Sequence, residues 1–196
     1  MLYLITNRKI SNKDYLDVIR DSVMVGVDVI ILREKDLNDK ELLNIALSIK
    51  EIIKDTDTKL IINGNIEVAK KVSAEGIHLT YKDFVKKKTN YNGLVGVSVH
   101  KVEESIMACE KEADYLLASH IYETNCKKGL KPKGLSFLKE IKNKVNIPVI
   151  GLGGISHLNA KEVIDAGADG IAVMSYIMSS DDPYNATLKL KEQLIK

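Results

Sequence analysis

Short apolar runs recur along this 196-residue chain, and between them lie longer stretches with apolar residues every three or four positions. The runs Leu2–Ile5, Asp28–Leu32, Leu60–Ile62, Ile77–Leu79, Leu94–Val97, Tyr115–Ala118, Pro148–Leu152 and Gly170–Val173 read as strands. Most are apolar at consecutive positions, as in strands covered on both faces. The intervening stretches read as helices: Asp14–Met24, Asn38–Ile53, Ile66–Val72, Val102–Lys111, Gly134–Lys144, Ala160–Ala166 and a tail ending at Leu194-Ile195. In the longest, Leu42, Ile45, Ala46, Ile49 and Ile53 keep a period near 3.6. Asp83 to Lys88 carries no strong signal and is expected to be a solvated surface turn.

Strand–helix alternation implies a parallel sheet. Eight such units predict an α/β fold closed into a compact (β/α)8 TIM barrel, formed by residues 1–196 as one domain. An open doubly wound sheet is the competing architecture. The phrases Val25-Gly26-Val27-Asp28-Val29, Ser73-Ala74-Glu75-Gly76-Ile77 and Ala166-Gly167-Ala168-Asp169-Gly170-Ile171 resemble one another. Each puts a glycine or small residue at a helix end before a strand, as recurring turns on the stability face of a barrel would.

Composition removes several function classes. Twenty-nine basic and 27 acidic residues are well mixed and give a net charge of +2, with no Trp and 5% aromatic residues. Neither a nucleic-acid surface nor a membrane-binding one is expected. Cys109 and Cys126 have no CxxC spacing, so structural zinc is not expected. The N-terminus has no leader-like pattern, and no apolar run approaches the ~20 residues that span a bilayer. The protein is expected to be cytoplasmic.

In such a barrel the chemistry belongs at the C-terminal ends of the strands. The densest cluster there is Ser119-His120-Ile121-Tyr122-Glu123-Thr124-Asn125-Cys126-Lys127-Lys128-Gly129, after the sixth strand. Gly153 and Gly154 after the seventh strand, with Met174 and Ser175 after the eighth, suggest a phosphate site built from backbone N–H groups. Arg33 and Lys35 flank Glu34 after the second strand; strand alternation would aim both at one ligand. Asn63, Ser98, Thr124 and Lys127 are further candidate ligand contacts. Of the four histidines, His78 reads as a hydrogen-bonded core residue and His157 as a surface residue. His100 is a weaker functional candidate. His120, at a strand mouth beside the lysine-bearing loop, is the candidate catalytic acid/base. Cys126 reads as a small polar lining residue.

The strings Ile31-Leu32-Arg33-Glu34-Lys35, Ile61-Ile62-Asn63, Gly76-Ile77-His78-Leu79, Gly96-Val97-Ser98-Val99-His100 and Gly153-Gly154-Ile155 resemble the thiamine phosphate synthase superfamily. The resemblance implies a (β/α)8 barrel, an oligomer (here a homodimer) and a small-molecule thiazole phosphate substrate. It offers two chemistries. One is Mg²⁺-dependent coupling of thiazole phosphate to hydroxymethylpyrimidine diphosphate. The other is metal-free aromatisation of a thiazole carboxylate phosphate by the tautomerase, or TenI-like, branch. The synthase pattern has Asn-Asp after the third strand, where this chain has Asn63-Gly64; Asp83 keeps the second metal-binding aspartate. In the loop after the sixth strand His120 replaces a proline and Cys126 a threonine. These departures are similar to the tautomerase branch, and the expectation is an isomerase without cofactor or metal. His120 would take a proton from ring carbon C2 and return it to the exocyclic carbon. Synthase activity, with Mg²⁺ at Asp83, is the first alternative. A non-catalytic thiazole- or thiamine phosphate-binding regulator is the second.

Overall fold

The computed structural model describes residues 1–86, 90–127 and 129–194. Eight parallel strands pair each with the next: β1 (Leu2–Ile5), β2 (Val29–Leu32), β3 (Lys59–Asn63), β4 (Gly76–Thr80), β5 (Leu94–Val99), β6 (Tyr115–Ser119), β7 (Val149–Leu152) and β8 (Gly170–Val173). β8 returns to β1, with Leu2 opposite Ile171, so the barrel is closed and has no free edge. The α/β TIM barrel read from the alternating pattern is the fold observed.

Strand alternation divides the core into two layers. Leu4, Ile30, Leu32, Leu60, Ile62 and Leu116 point outward and pack beneath the helices. Tyr3, Ile5, Val29, Ile31, Ile61, Tyr115, Leu117, Ile150 and Ala172 point inward and fill the barrel. The outer helices are α1 (Tyr15–Val25), α2 (Asp39–Ile52), α3 (Ile66–Lys71), α4 (Tyr81–Lys86), α5 (Val102–Glu110), α6 (Gly134–Lys142), α7 (Ala160–Asp165), α8 (Ser175–Met178) and α9 (Pro183–Glu192). Asp14 caps α1 by accepting from the N–H groups of Leu16 and Asp17. Asn38 and Glu41 form a reciprocal capping box at α2. No helix among the described residues is long and apolar enough to cross a membrane.

The repeated turn phrases have a mechanical role. Asp28, just before β2, accepts the N–H of Leu2 at 2.6 Å. Glu75, before β4, accepts that of Leu60 at 2.8 Å. Asp114, before β6, accepts that of Val95 at 2.7 Å, and Asp169, before β8, that of Val149 at 2.8 Å. The carboxylate ahead of each even strand thus satisfies a donor at the start of the preceding odd strand. Lysines neutralise three of these acids: Lys191 on Asp28, Lys50 on Glu75 and Lys142 on Asp169.

One segment differs from the sequence reading. Asp83 to Lys88 was expected as a surface turn, yet Tyr81–Lys86 is helical. Thr80 Oγ1 accepts the Asp83 N–H at 3.2 Å and donates to the Asp83 carboxylate at 2.6 Å, which starts the helix. Phe84, buried, anchors it. Residues 87–88, Lys128 and Ile195, which also figured in the sequence reading, lie outside the described residues.

Candidate functional site

A cavity of about 220 Å³ opens at the C-terminal ends of the strands. Ile5, Ile31, Leu117, Leu152 and Ala172 form its apolar wall, and His78 and Ser98 its polar floor. Of the ligand contacts expected from sequence, Arg33, Asn63, Ser98, Thr124 and Lys127 line it, with Gly153, Gly154, Met174 and Ser175 along the β7–β8 side and His120 on the β6 side. Lys35 does not. β2 ends at Leu32, so the alternation that would pair Arg33 with Lys35 has lapsed, and Lys35 sits exposed in a turn.

Arg33 is placed by its neighbours. Its N–H donates to Thr6 Oγ1 at 2.9 Å, and Thr6 donates to Glu34 at 2.9 Å. Glu34 also accepts from the backbone N–H and guanidinium of Arg8. Both oxygens of the buried Glu34 carboxylate are therefore committed to a strut between β1 and β2. The Arg33 guanidinium has no carboxylate partner among the described residues.

The loop after β6 is pinned on both sides. Ile121 N–H donates to Leu152 O and Tyr122 N–H to Gly153 O, each at 3.0 Å. Lys133 N–H donates to His120 O at 2.9 Å and Gly134 N–H to Ile121 O at 3.0 Å. The glycine pair makes this approach possible. A Cβ on Gly153 would lie 2.4 Å from His120 Cβ, and one on Gly154 would lie 2.3 Å from Glu123 O. The pair is thus required first for packing two loops together, a role its sequence does not distinguish from anion binding.

His120 is 4% exposed. Its Nε2 lies 3.2 Å from Leu130 O, and a carbonyl only accepts, so in the neutral imidazole Nε2 carries the hydrogen and Nδ1 is left as an acceptor. Lys127 closes the 3₁₀ turn Asn125–Lys127, with its ammonium 3.5 Å from Ser119 Oγ. Burial lowers its pKa, and Lys133 lowers it further. It forms no ion pair among the described residues, so Arg33 and Lys127 line the cavity as cations without counter-charges among those residues. His100 and His157 lie off the cavity: His100 Nδ1 is 2.9 Å from Ser119 O, and His157 meets the Tyr176 hydroxyl.

His78 departs from the sequence reading in part. It is buried and hydrogen-bonded as expected, but its surroundings are the cavity floor. Nδ1 lies 3.1 Å from Tyr115 Oη and Nε2 2.7 Å from Ser98 Oγ. Burial, reinforced by the nearby Arg33 charge, holds its pKa down at about 3. Its position in the middle of a strand hid this role, because which strand face turns inward is decided only when the barrel closes.

A protein-held Mg²⁺ needs oxygen donors, with carboxylates foremost. Among the described residues the cavity lining contains no Asp or Glu. Glu34 is committed to Thr6 and Arg8. Asp83 stands outside the cavity, tied to Thr80. Among the described residues no group of three or more His, Cys, Asp and Glu could hold a metal ion. The described residues that line the cavity do not by themselves fit Mg²⁺.

The family model described as thiamine monophosphate synthase matches residues 2–177. Similar proteins include thiamine-phosphate synthases of Clostridium tetani, 38% identical over 96% of this chain and 93% of the relative, and of Methanobrevibacter smithii, 35% identical over 98% and 94%. Among solved structures, the thiamine phosphate pyrophosphorylase of Pyrococcus furiosus superposes with a TM-score of 0.89 at 32% identity, covering 98% of this chain and 94% of that one. These findings overturn the expected tautomerase branch and the isomerase activity read from it. That expectation rested on His120, Cys126 and Gly64, three positions on rim loops, where a residue can change without disturbing the barrel. Similarity to the synthases instead extends over nearly the whole chain, strands and helices included. The chain belongs to the thiamine monophosphate synthase family.

Proposed function

We propose that this protein is a transferase that joins a hydroxymethylpyrimidine unit, carried as its diphosphate, to a thiazole phosphate, giving thiamine phosphate and pyrophosphate. The observation that carries this reading is full-length similarity to thiamine-phosphate synthases together with a strand-mouth cavity holding two uncompensated cations. In the reaction the methylene carbon–oxygen bond to the diphosphate breaks and a bond to the thiazole nitrogen forms. The electron pair leaves on the diphosphate. Negative charge builds at the leaving group, and cations held at the cavity wall stabilise it.

Arg33 and Lys127 are assigned to the phosphate and diphosphate oxygens. Backbone N–H groups around Gly153, Gly154 and Ser175 add neutral donors. Asn63, Ser98 and Thr124 offer hydrogen bonds to the organic part of the ligand, beside the apolar wall of Ile5, Ile31, Leu117 and Leu152. His120 contributes Nδ1 as an acceptor. A homodimer belongs to the same reading, and light scattering of the purified protein checks it.

The test is direct. Purified protein is incubated with thiazole phosphate and hydroxymethylpyrimidine diphosphate in the presence of Mg²⁺, and thiamine phosphate is measured by chromatography. Product formation that requires both substrates is expected. Calorimetric binding of thiamine phosphate with no turnover would overturn the transferase reading in favour of a binding protein.

A further inference from the structure

Three side chains in the barrel interior form a directional chain. Gly96 on β5 stands between His78 on β4 and Tyr115 on β6 in one register layer. A Cβ on Gly96 would lie 2.0 Å from Tyr115 Cζ and 2.3 Å from its hydroxyl oxygen. The missing side chain is therefore the slot through which the Tyr115 phenol crosses β5 to reach His78. Tyr115 also meets the Tyr3 ring in a tilted contact, centroids 5.5 Å apart.

The polarity of the chain follows from counting donors. Tyr115 Oη has His78 Nδ1 as its hydrogen-bond partner among the described residues, at 3.1 Å. A buried hydroxyl hydrogen without an acceptor loses its bond to water and gains nothing in return. If Nδ1 carried the imidazole hydrogen, the phenol would accept it and its own hydrogen would be stranded among Tyr3, Gly96 and the apolar barrel core. With Nδ1 bare, the phenol donates to it and both groups are satisfied. Nε2 then carries the imidazole hydrogen and must donate to Ser98 Oγ, 2.7 Å away. A serine oxygen that accepts from below keeps its own hydrogen for another acceptor, and Ser98 lines the cavity.

We propose that Tyr115 and His78 are positioning residues that lock the Ser98 hydroxyl as a hydrogen-bond donor into the cavity, selecting a ligand that places an acceptor atom over the barrel floor. Neither Tyr115 nor His78 needs to change protonation state for this. The imidazole stays uncharged over the working range because it is buried near Arg33. Its service is to fix a direction that a free hydroxyl rotor would leave open. Of these residues the sequence places only Ser98 at the ligand; the structure adds the two residues beneath it and the glycine that admits them.

Two measurements test the proposal. In protein labelled with ¹⁵N-histidine, long-range ¹⁵N–¹H spectra report each imidazole tautomer, and the His78 signal is identified by its loss in His78→Gln. The expected His78 pattern is hydrogen on Nε2 and a bare Nδ1. Tyr115→Phe, which keeps the ring and removes the donor, should redistribute that pattern. An Nδ1–H tautomer in the unaltered protein overturns the proposal, and so does a pattern indifferent to Tyr115→Phe. The second measurement rests on the function proposed above and uses thiamine phosphate as the calorimetric probe. Ser98→Ala and Tyr115→Phe should each weaken binding by about two- to tenfold, the worth of one hydrogen bond, and the double variant by no more than the larger of the two. Additive losses overturn the coupling. Absence of binding to the unaltered protein counts against the transferase reading alone, since the tautomer measurement needs no ligand. Should Tyr115→Phe fail to fold, the spectrum of the unaltered protein still decides the tautomer.

Discussion

Burial of His78 beneath the cavity makes one imidazole a reporter of folding. Its pKa is held near 3 in the folded protein and returns to about 6.5 on unfolding. Between those values the unfolded chain binds more protons, so stability is fully present above about pH 6.5 and is lost as the pH falls toward 3. The loss should approach ~1.4 kcal/mol per pH unit from this group alone. Urea unfolding of the unaltered protein and of His78→Gln at pH 7 and pH 5 measures it: the gap between the two curves should narrow on acidification. A gap independent of pH would mean that His78 titrates normally. Lys127 gives a second residue-level expectation. Its ammonium is half-buried without an ion pair among the described residues, so Lys127→Ala should leave folding nearly unchanged. Affinity for thiamine phosphate should fall by about ten- to hundredfold, the worth of a charge-assisted hydrogen bond.

At the level of elements, the barrel has two ends with different duties. The turns before the even strands carry Asp28, Glu75, Asp114 and Asp169, each closing a donor at the foot of the preceding strand. Asp114→Ala should cost about 1 kcal/mol of stability for the lost hydrogen bond to Val95 while leaving KM unchanged, because the cavity lies at the opposite end. The β6 and β7 loops behave in the opposite way. Gly153 has φ +105° and no room for a Cβ beside His120. Gly153→Ala should therefore cost about 1–3 kcal/mol through overpacking and strain and should lower kcat/KM as well, since the displaced loop carries Thr124 and Lys127. Thermal unfolding and steady-state kinetics on the same preparations separate these two patterns.

For the molecule as a whole, ligand and fold are linked through the closed barrel. Thiamine phosphate at 100 times its Kd should stabilise the protein by about 2.7 kcal/mol. For a chain of this size that corresponds to a rise in Tm of roughly 5–10 °C. Arg33→Gln and Lys127→Gln, at the same ligand concentration, should each remove about half of that rise or more. Mg²⁺ added alone should leave Tm unchanged, since the cavity offers it no carboxylate; a clear rise would locate a cation site elsewhere on the protein.

The sequence by itself determined the barrel. Its eight apolar runs are buried on both faces and so appear as local signals, and the acidic turns repeat because each performs the same local task. It also placed Arg33, Asn63 and Ser98 at strand mouths and Thr124 and Lys127 on the loop after the sixth strand, positions that follow from topology once the strands are known. What only the tertiary structure decided depends on contacts between strands far apart in the chain. Lys35 leaves the cavity because β2 ends just before Arg33. Asp83 turns away because Thr80 claims it. Gly153 and Gly154 are shaped by the loop they touch. His78 faces inward and meets Tyr115, 37 positions away, across a slot left by Gly96. The branch of chemistry is not legible in the sequence for a related reason. His120, Cys126 and Gly64 stand out as motif departures, but a few rim residues do not define a family when the rest of the chain aligns with another branch. Strand order and burial are written in local hydrophobicity, whereas the direction of a hydrogen bond or the freedom of a charge is set by neighbours that only folding brings together.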